Sequence, residues 1–336
     1  MVLVVKRWLW LIGVLSLLAC SRPGPTETSP QPTTFVLFPS PTLPPPRSPS
    51  PNPTPVSSIT LATPNATLAI AKPTATLTLT ATPTPLTFAV IGDYGSAGPA
   101  EAGVATLVHS WQPSLIITLG DNNYPYGEAS TIQANIGDYY GDYIAAGRFF
   151  PSLGNHDWAN PDGAAPYLIY FDLPGNERYY DFAAGPVHFF AVDSDWNEPD
   201  GNWADSVQGE WLRDGLAAAG EPWKVVYFHF PPYSSGYHGS TPVMQWPFAE
   251  WGASVVLSGH DHTYERLVVD GLTYFVNGLG GYPARYSFDN ILSQSFVRFN
   301  DDYGAMLVTA TSQSLSFQFF SQSNQLIDSF TLTIGE

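Results

Sequence analysis

An α/β domain built around buried, mostly parallel strands is the fold class this sequence predicts for residues 87–336. Three observations carry that reading. Short apolar runs recur, and each is followed at once by polar residues. Helical patterns fill intervals at about 99–111 and 206–219. Eight of the ten Trp and all seven His lie in this part of the chain, so some 250 aromatic-rich residues are available to bury one large core.

The chain of 336 residues begins differently. Behind Lys6 and Arg7, Leu9 to Ala19 is apolar over the length of a signal-peptide core and too short for a comfortable membrane span. It ends in Leu17-Leu18-Ala19-Cys20, which resembles the lipobox of bacterial lipoproteins. Cys20 is the only Cys, so no intramolecular disulfide can form, and a lone thiol in an exported chain calls for an explanation. The expectation is a signal peptide over 1–19 and a diacylglyceryl-modified Cys20, with an ordinary signal peptide and an incidental Cys as the alternative. Two or more acyl chains anchor stably where one does not. The protein is then exported and lipid-anchored on the outer face of a bacterial membrane, at the cell surface or on the periplasmic side.

Residues 20–86 read as that anchor Cys followed by a disordered tether. Residues 21–86 hold 17 of the 32 Pro, mixed with Thr and Ser, as in Pro44-Pro45-Pro46 and the Thr-Pro alternation from Thr82 to Pro85. Such sequence cannot bury enough apolar area to fold and tends to extended polyproline II. At roughly 3.1 Å per residue its reach is at most about 200 Å. Beyond it, seven Lys and Arg face 28 Asp and Glu, a net charge of −21. That excludes the basic surface on which nucleic-acid binding depends.

The strands follow in order. Leu86–Ile91 runs into Gly92-Asp93-Tyr94-Gly95, and Leu115–Leu119 runs into Gly120-Asp121-Asn122-Asn123-Tyr124. Phe149–Leu153 precedes Gly154-Asn155-His156-Asp157. Val225–Phe228 precedes His229-Phe230-Pro231, and Val255–Leu257 precedes Ser258-Gly259-His260-Asp261-His262. Short apolar runs bounded by turn signals read as buried strands, parallel where helices intervene. Ligands in open α/β sheets bind beyond the carboxyl ends of strands, so the five clusters converge on one rim.

Singly, each motif is weak: a Gly-Asp after a strand is usually a turn. Their concentration is what matters. Of seven His, four (His156, His229, His260, His262) stand at these strand ends and His238 follows His229 by nine residues; only His109 and His188 fall elsewhere. Carboxylates, an Asn carbonyl, a Tyr phenolate and imidazoles suit iron, zinc or manganese rather than copper(I). One Asp can bridge two cations about 3.5–4 Å apart. The absence of Cys from this region removes thiolate zinc sites.

The set Asp93-x-Gly95, Gly120-Asp121-x-x-Tyr124, Gly154-Asn155-His156, Val226-x-x-His229 and Gly259-His260-x-His262 resembles the purple acid phosphatases of the calcineurin-like metallophosphoesterase superfamily. The order matches across residues 93–262, and the blocks are most similar to the small, tartrate-resistant form. The wider superfamily carries Asp-x-His and Gly-Asp-x-x-Asp where this chain has Gly95 and Tyr124, which selects the purple branch. The resemblance implies a four-layer α/β/β/α sandwich, with the strand-like runs at 273–277, 305–311, 314–320 and 326–333 supplying a second sheet and a terminal hairpin.

It also implies two metal ions. Asp93, Tyr124 and His262 would hold the first, iron(III) at the phenolate. Asn155, His229 and His260 would hold the second, iron(II), zinc or manganese, with Asp121 shared. A metal-bound hydroxide would attack phosphorus in small phosphorylated substrates. His156, beside a ligand but not itself one, is the candidate proton donor, and His238 matches a second outer-sphere His. Asp157 and Asp261 are candidate partners for imidazoles or plain turn residues, and Tyr126, Tyr233 and Tyr237 are candidate cleft or packing residues. Gly278 to Gly281 reads as a tight loop beside the site. The expected function is thus a dinuclear-metal acid phosphatase acting on monoesters. A phosphodiesterase or nucleotidase with the same metals, and a non-catalytic surface-binding lipoprotein, are the alternatives.

Overall fold

A computed structural model describes residues 84–335. The expected signal peptide, the expected anchor at Cys20 and nearly all of the expected tether lie outside the described residues.

In chain order, β1 (Leu86–Ile91), α1 (Pro99–Trp111) and β2 (Leu115–Thr118) are followed by α2 (Asp138–Ala145) and β3 (Phe149–Pro151). The short helices α3 (Asn155–Trp158) and α4 (Ala165–Tyr170) lead to a hairpin of β4 (Tyr180–Ala184) and β5 (Val187–Ala191). Next come α5 (Val207–Ala218), β6 (Trp223–Tyr227), α6 (Phe248–Trp251) and β7 (Val255–Ser258). Six strands close the domain: β8 (Tyr264–Val269), β9 (Leu272–Asn277), β10 (Ser295–Phe299), β11 (Gly304–Ala310), β12 (Ser314–Ser321) and β13 (Leu326–Thr333).

They form two sheets, ordered β13-β12-β11-β1-β2-β3 and β10-β8-β9-β7-β6-β5-β4. Strands β1 to β3 run parallel in the first, and β5, β6, β7 and β9 run parallel in the second. Alternation along each strand builds the layers, because successive side chains face opposite sides of a sheet. Phe88, Val90, Leu115 and Ile117 meet Phe189, Val225, Leu257 and Phe275 in the central core between the sheets. Ala89, Ile91 and Ile116 instead pack under Val104 and Val108 of α1 and Tyr140 of α2. Phe190, Val226 and Val256 pack under Leu212 and Leu216 of α5 and Phe248 of α6. The parallel strands are therefore apolar on both faces, as strands covered on both sides must be. The four-layer α/β/β/α sandwich is borne out.

Strand assignment to sheets differs from the expectation in one respect. The run at 305–333 does not start a second sheet; β11 pairs antiparallel with β1 and carries the hairpin β12–β13 outward from the first sheet. The second sheet is built instead around β6 and β7, with β9 beside β7. The five motif strands are thus divided, three in one sheet and two in the other. Periodicity identifies a buried strand but carries no information on which neighbour it pairs with.

At the start of α1, Glu101 is fully buried and one carboxylate oxygen accepts from the amides of Ser96 (2.9 Å) and Ala97 (2.7 Å). Its other oxygen has no hydrogen-bond partner. Burial, only partly offset by those two amides, raises its pKa to about 8 from 4.5. An acid raised in the folded state retains a proton that the unfolded chain has released, so stability is present below about pH 4.5 and is lost as pH rises toward about 8. Glu101→Gln keeps an oxygen for both amides. Thermal denaturation should find it equal to the parent near pH 4.5 and more stable at pH 8; equal pH slopes for the two proteins would refute this.

Candidate metal centre

The carboxyl ends of β1, β2, β3, β6 and β7 meet at one end of the sandwich, in the gap between the sheets. The first-sheet carboxylate Asp93 accepts from the amide of His260 on the second sheet at 2.9 Å, and Asn277 of β9 donates its amide to the Val90 carbonyl at 3.0 Å. These bonds stitch the two rims together. Three non-glycine residues here, Asp93, Asp121 and His260, adopt positive φ (57°, 52° and 69°). Backbone held in this sparsely populated region persists only where its surroundings enforce it, and such residues cluster at functional sites.

All seven residues singled out from the sequence as donors come together, in two groups. The Tyr124 phenol oxygen lies 3.4 Å from Asp93 Oδ1, 3.0 Å from Asp121 Oδ2 and 3.2 Å from His262 Nε2, which is itself 3.3 Å from Asp93 Oδ1. In the second group, His229 Nε2 lies 3.0 Å from Asn155 Oδ1, 3.2 Å from His260 Nδ1 and 3.3 Å from Asp121 Oδ2. One oxygen, Asp121 Oδ2, belongs to both. Asp121, His229 and His260 each offer an atom within 4.8 Å of the others, a spacing that can hold a cation.

Main-chain partners orient these rings. Nδ1 of His229 donates to the Leu119 carbonyl (2.8 Å) and Nδ1 of His262 to that of Ala284 (2.9 Å), so each ring turns its Nε2 inward. Without a cation the electrostatics are unbalanced. Burial lowers the His229 pKa, yet Asp121 and Asp93 beside it outweigh that and lift it to about 10. Burial and the adjacent His229 hold His260 well below its ordinary value. Burial, with Asp121 and Asp93, pushes the Tyr124 phenol far up. Among the described residues no Lys or Arg forms an ion pair with Asp93 or Asp121. Buried carboxylates, oxygen and imidazole donors converging without a protein cation fit a metal pair.

His156 stands at the mouth. Its Nδ1 donates to the Pro125 carbonyl at 2.6 Å, its Nε2 lies 4.0 Å from Asp121 Oδ2, and its amide donates to Asp121 Oδ1 at 2.9 Å. The exposed His238 has its ring 4.2 Å from that of His260. Asp157 and Asp261 hold no imidazole; both are buried and accept other groups. Asp157 accepts from the Asn122 side chain (2.8 Å) and the Gly154 amide (2.9 Å), and burial, with Asp121 nearby, raises it to about 7. Tyr126 and Tyr237 are exposed, whereas Tyr233 packs edge-on against Tyr274 on the outer face of the second sheet.

Several contributors were not read from the sequence. Tyr282 stacks on Tyr124 with ring centres 3.9 Å apart, and Tyr286 stacks on His262 at 4.3 Å. Both lie in the irregular segment after Gly281, where no periodicity exists to flag them. Ser194, past the end of β5, accepts the Phe230 amide at 2.9 Å, and Asp193 accepts from the Trp158 indole at 2.9 Å. The run Asp193-Ser194-Asp195 is a sixth strand end followed by polar residues, a signal that was available.

A two-sheet α/β sandwich with acidic, amide, phenol and imidazole donors at one rim defines a class. The profile of the calcineurin-like phosphoesterase family matches residues 86–264, and the chain belongs to that family. Purple acid phosphatase 15 of Arabidopsis thaliana is 29% identical over 252 residues, 60% of this chain and 46% of that protein. Human tartrate-resistant acid phosphatase type 5 is 25% identical over 240 residues, 59% of this chain and 73% of that protein. The chain spans about half the length of the plant relatives it matches. Among solved structures, a purple acid phosphatase from yellow lupin seeds superposes with a TM-score of 0.61 at 19% identity, covering 74% of this chain and 54% of that one. The resemblance to purple acid phosphatases, the tartrate-resistant form included, is borne out.

Proposed function

We propose that this domain is a dinuclear-metal phosphoesterase, an acid phosphatase that hydrolyses monoesters of small phosphorylated compounds. The observation that carries the reading is the position of Asp121 Oδ2, 3.0 Å from the Tyr124 phenol and 3.3 Å from His229 Nε2. A single carboxylate oxygen reaching both donor groups is a placement that a bridging ligand can use. Asp93, Tyr124 and His262 would hold the first ion, iron(III), since a trivalent cation offsets the cost of ionising a buried phenol. Asn155, His229 and His260 would hold the second, a divalent one.

When bound, the pair supplies Lewis acidity toward the ester oxygens and toward an attacking water. The protein's own charge of about −3 from Asp93, Asp121 and the Tyr124 phenolate leaves a +5 pair net positive by about 2, which draws in phosphate despite the acidic surface. His156, in its charged form, keeps one proton on the Pro125 carbonyl and presents the other on Nε2 for the leaving oxygen. His238, on the other flank beside His260, steadies the phosphoryl oxygens.

The purified chain is expected to hold two transition-metal ions, to absorb visible light and to cleave aryl monoesters faster than diesters. Tyr124→Phe should lose the visible band, and His156→Ala should lower kcat by about 10²-fold or more. A chain that binds no transition metal under any loading condition, or that cleaves diesters only, would overturn the reading.

A further inference from the structure

We propose that Asp261 is a positioning residue that clamps the loop Ser234–Gly239, and with it His238, to the metal turn. The inference rests on the role given to His238 above. In Gly259–His262 the two imidazoles turn toward the centre, His260 to His229 at 3.2 Å and His262 to Asp93 at 3.3 Å. Asp261, fully buried between them, serves the loop instead. Its Oδ2 accepts the Ser234 hydroxyl at 2.5 Å and its Oδ1 the His238 amide at 2.8 Å, with the Gly239 amide a further donor.

The loop is wrapped around this carboxylate. A Cβ at Gly236 would fall 2.5 Å from Asp261 Cγ, so the chain passes where no side chain fits. The Ser234 hydroxyl accepts the Gly236 amide in turn, at 2.9 Å. Glu265, buried in β8, accepts the Ser235 amide at 2.8 Å. On the far side Gly236 bridges to Phe288, and Ser235 takes the amides of Asp289 (3.1 Å) and, through its hydroxyl, Leu292 (3.0 Å).

These contacts tie down residues 234–236. The stretch Tyr237–Gly239 is different: Tyr237 and His238 are exposed, and the Asp261 carboxylate takes the amides of His238 and Gly239. A buried carboxyl that takes several donors at once is a stiff post, because releasing the loop leaves buried polar groups without partners. The tripeptide that carries two metal donors therefore also sets where the His238 ring stands, 4.2 Å from that of His260. A displacement of about 1 Å at a group facing the reacting atoms can cost roughly 10²-fold in rate.

The test uses the metal-loaded full chain. Asp261→Asn should lower kcat by about tenfold, with KM within about twofold and metal content unchanged, while His238→Ala lowers kcat by about 10²-fold. The double variant should be no slower than His238→Ala alone, because both act through one imidazole. Ser234→Ala, outside the metal turn, should lower kcat by a smaller factor, and Ser234→Thr should restore it. Amide hydrogen exchange at His238 and Gly239 should quicken in Asp261→Asn and stay unchanged in β8. Additive losses in the double variant, metal loss in Asp261→Asn, or unchanged exchange at His238 would each overturn the clamp. Exchange reads the clamp even in a chain that cleaves no ester, an outcome that would defeat the proposed function alone.

Discussion

Asp121→Asn is expected to reduce hydrolysis by about 10²- to 10³-fold and to leave the chain short of two bound metals. The amide has one oxygen: placed where Oδ2 now stands, 3.0 Å from the Tyr124 phenol and 3.3 Å from His229 Nε2, it leaves the NH2 group against the His156 amide that Oδ1 now accepts at 2.9 Å, and turned the other way it points the NH2 group at the metal donors. Losing one charge from a buried, paired cluster costs about 3–5 kcal/mol, and each 1.4 kcal/mol is a tenfold change. The variant is informative because it spares the backbone. Asp121 sits at φ 52°, a left-handed conformation that Asn adopts readily. Metal analysis and kcat on the same sample check the prediction; two tightly held ions with kcat within tenfold of the parent would contradict it.

The second large effect falls on a residue with no functional group. Gly95→Ala is expected to destabilise the domain by about 3 kcal/mol, roughly 6–12 °C in Tm at this size, and to abolish metal binding. A methyl at Gly95 would overlap the main-chain carbonyl of Asn122 and sit 3.1 Å from the Asn123 amide. Neither can yield cheaply. The Gly95 carbonyl accepts the Tyr124 amide at 2.8 Å, and the Asn122 side chain donates to Asp157 at 2.8 Å and to the Ser152 carbonyl at 2.7 Å. Displacing either loop moves Asp93 or Tyr124. Gly141→Ala in α2 is the control, since a methyl there meets nothing within 4 Å and Ala is the better helix former. A Gly95→Ala protein as stable as that control would refute the argument.

Gly95 also shows how much of the site was legible and in what form. Motif comparison marked it as the position where other phosphoesterases carry His. The reason appears only in the fold: Asn122, from the next strand end, passes through the space a side chain would take. Tyr282 and Tyr286 show the opposite case. They stack on Tyr124 and His262 but arrive from an irregular loop, whose path depends on contacts far away in the chain. Asp261, read as a partner for imidazoles or a turn residue, has a buried carboxylate that holds main-chain amides and a serine hydroxyl instead.

By itself the sequence determined the identity of the buried strands, the α/β class and the polar residues placed at each strand end. Those properties are local: an apolar run of a few residues followed by a turn reads the same wherever it packs. Only the tertiary structure decided that the five motif strands divide between two sheets, that β11 to β13 extend the first of them, and that Asp121 Oδ2 reaches both donor groups. Strand pairing and the convergence of side chains depend on contacts between residues distant in the chain. His229 and Asn155, 74 residues apart, come within 3.0 Å because two sheets bury one core between them.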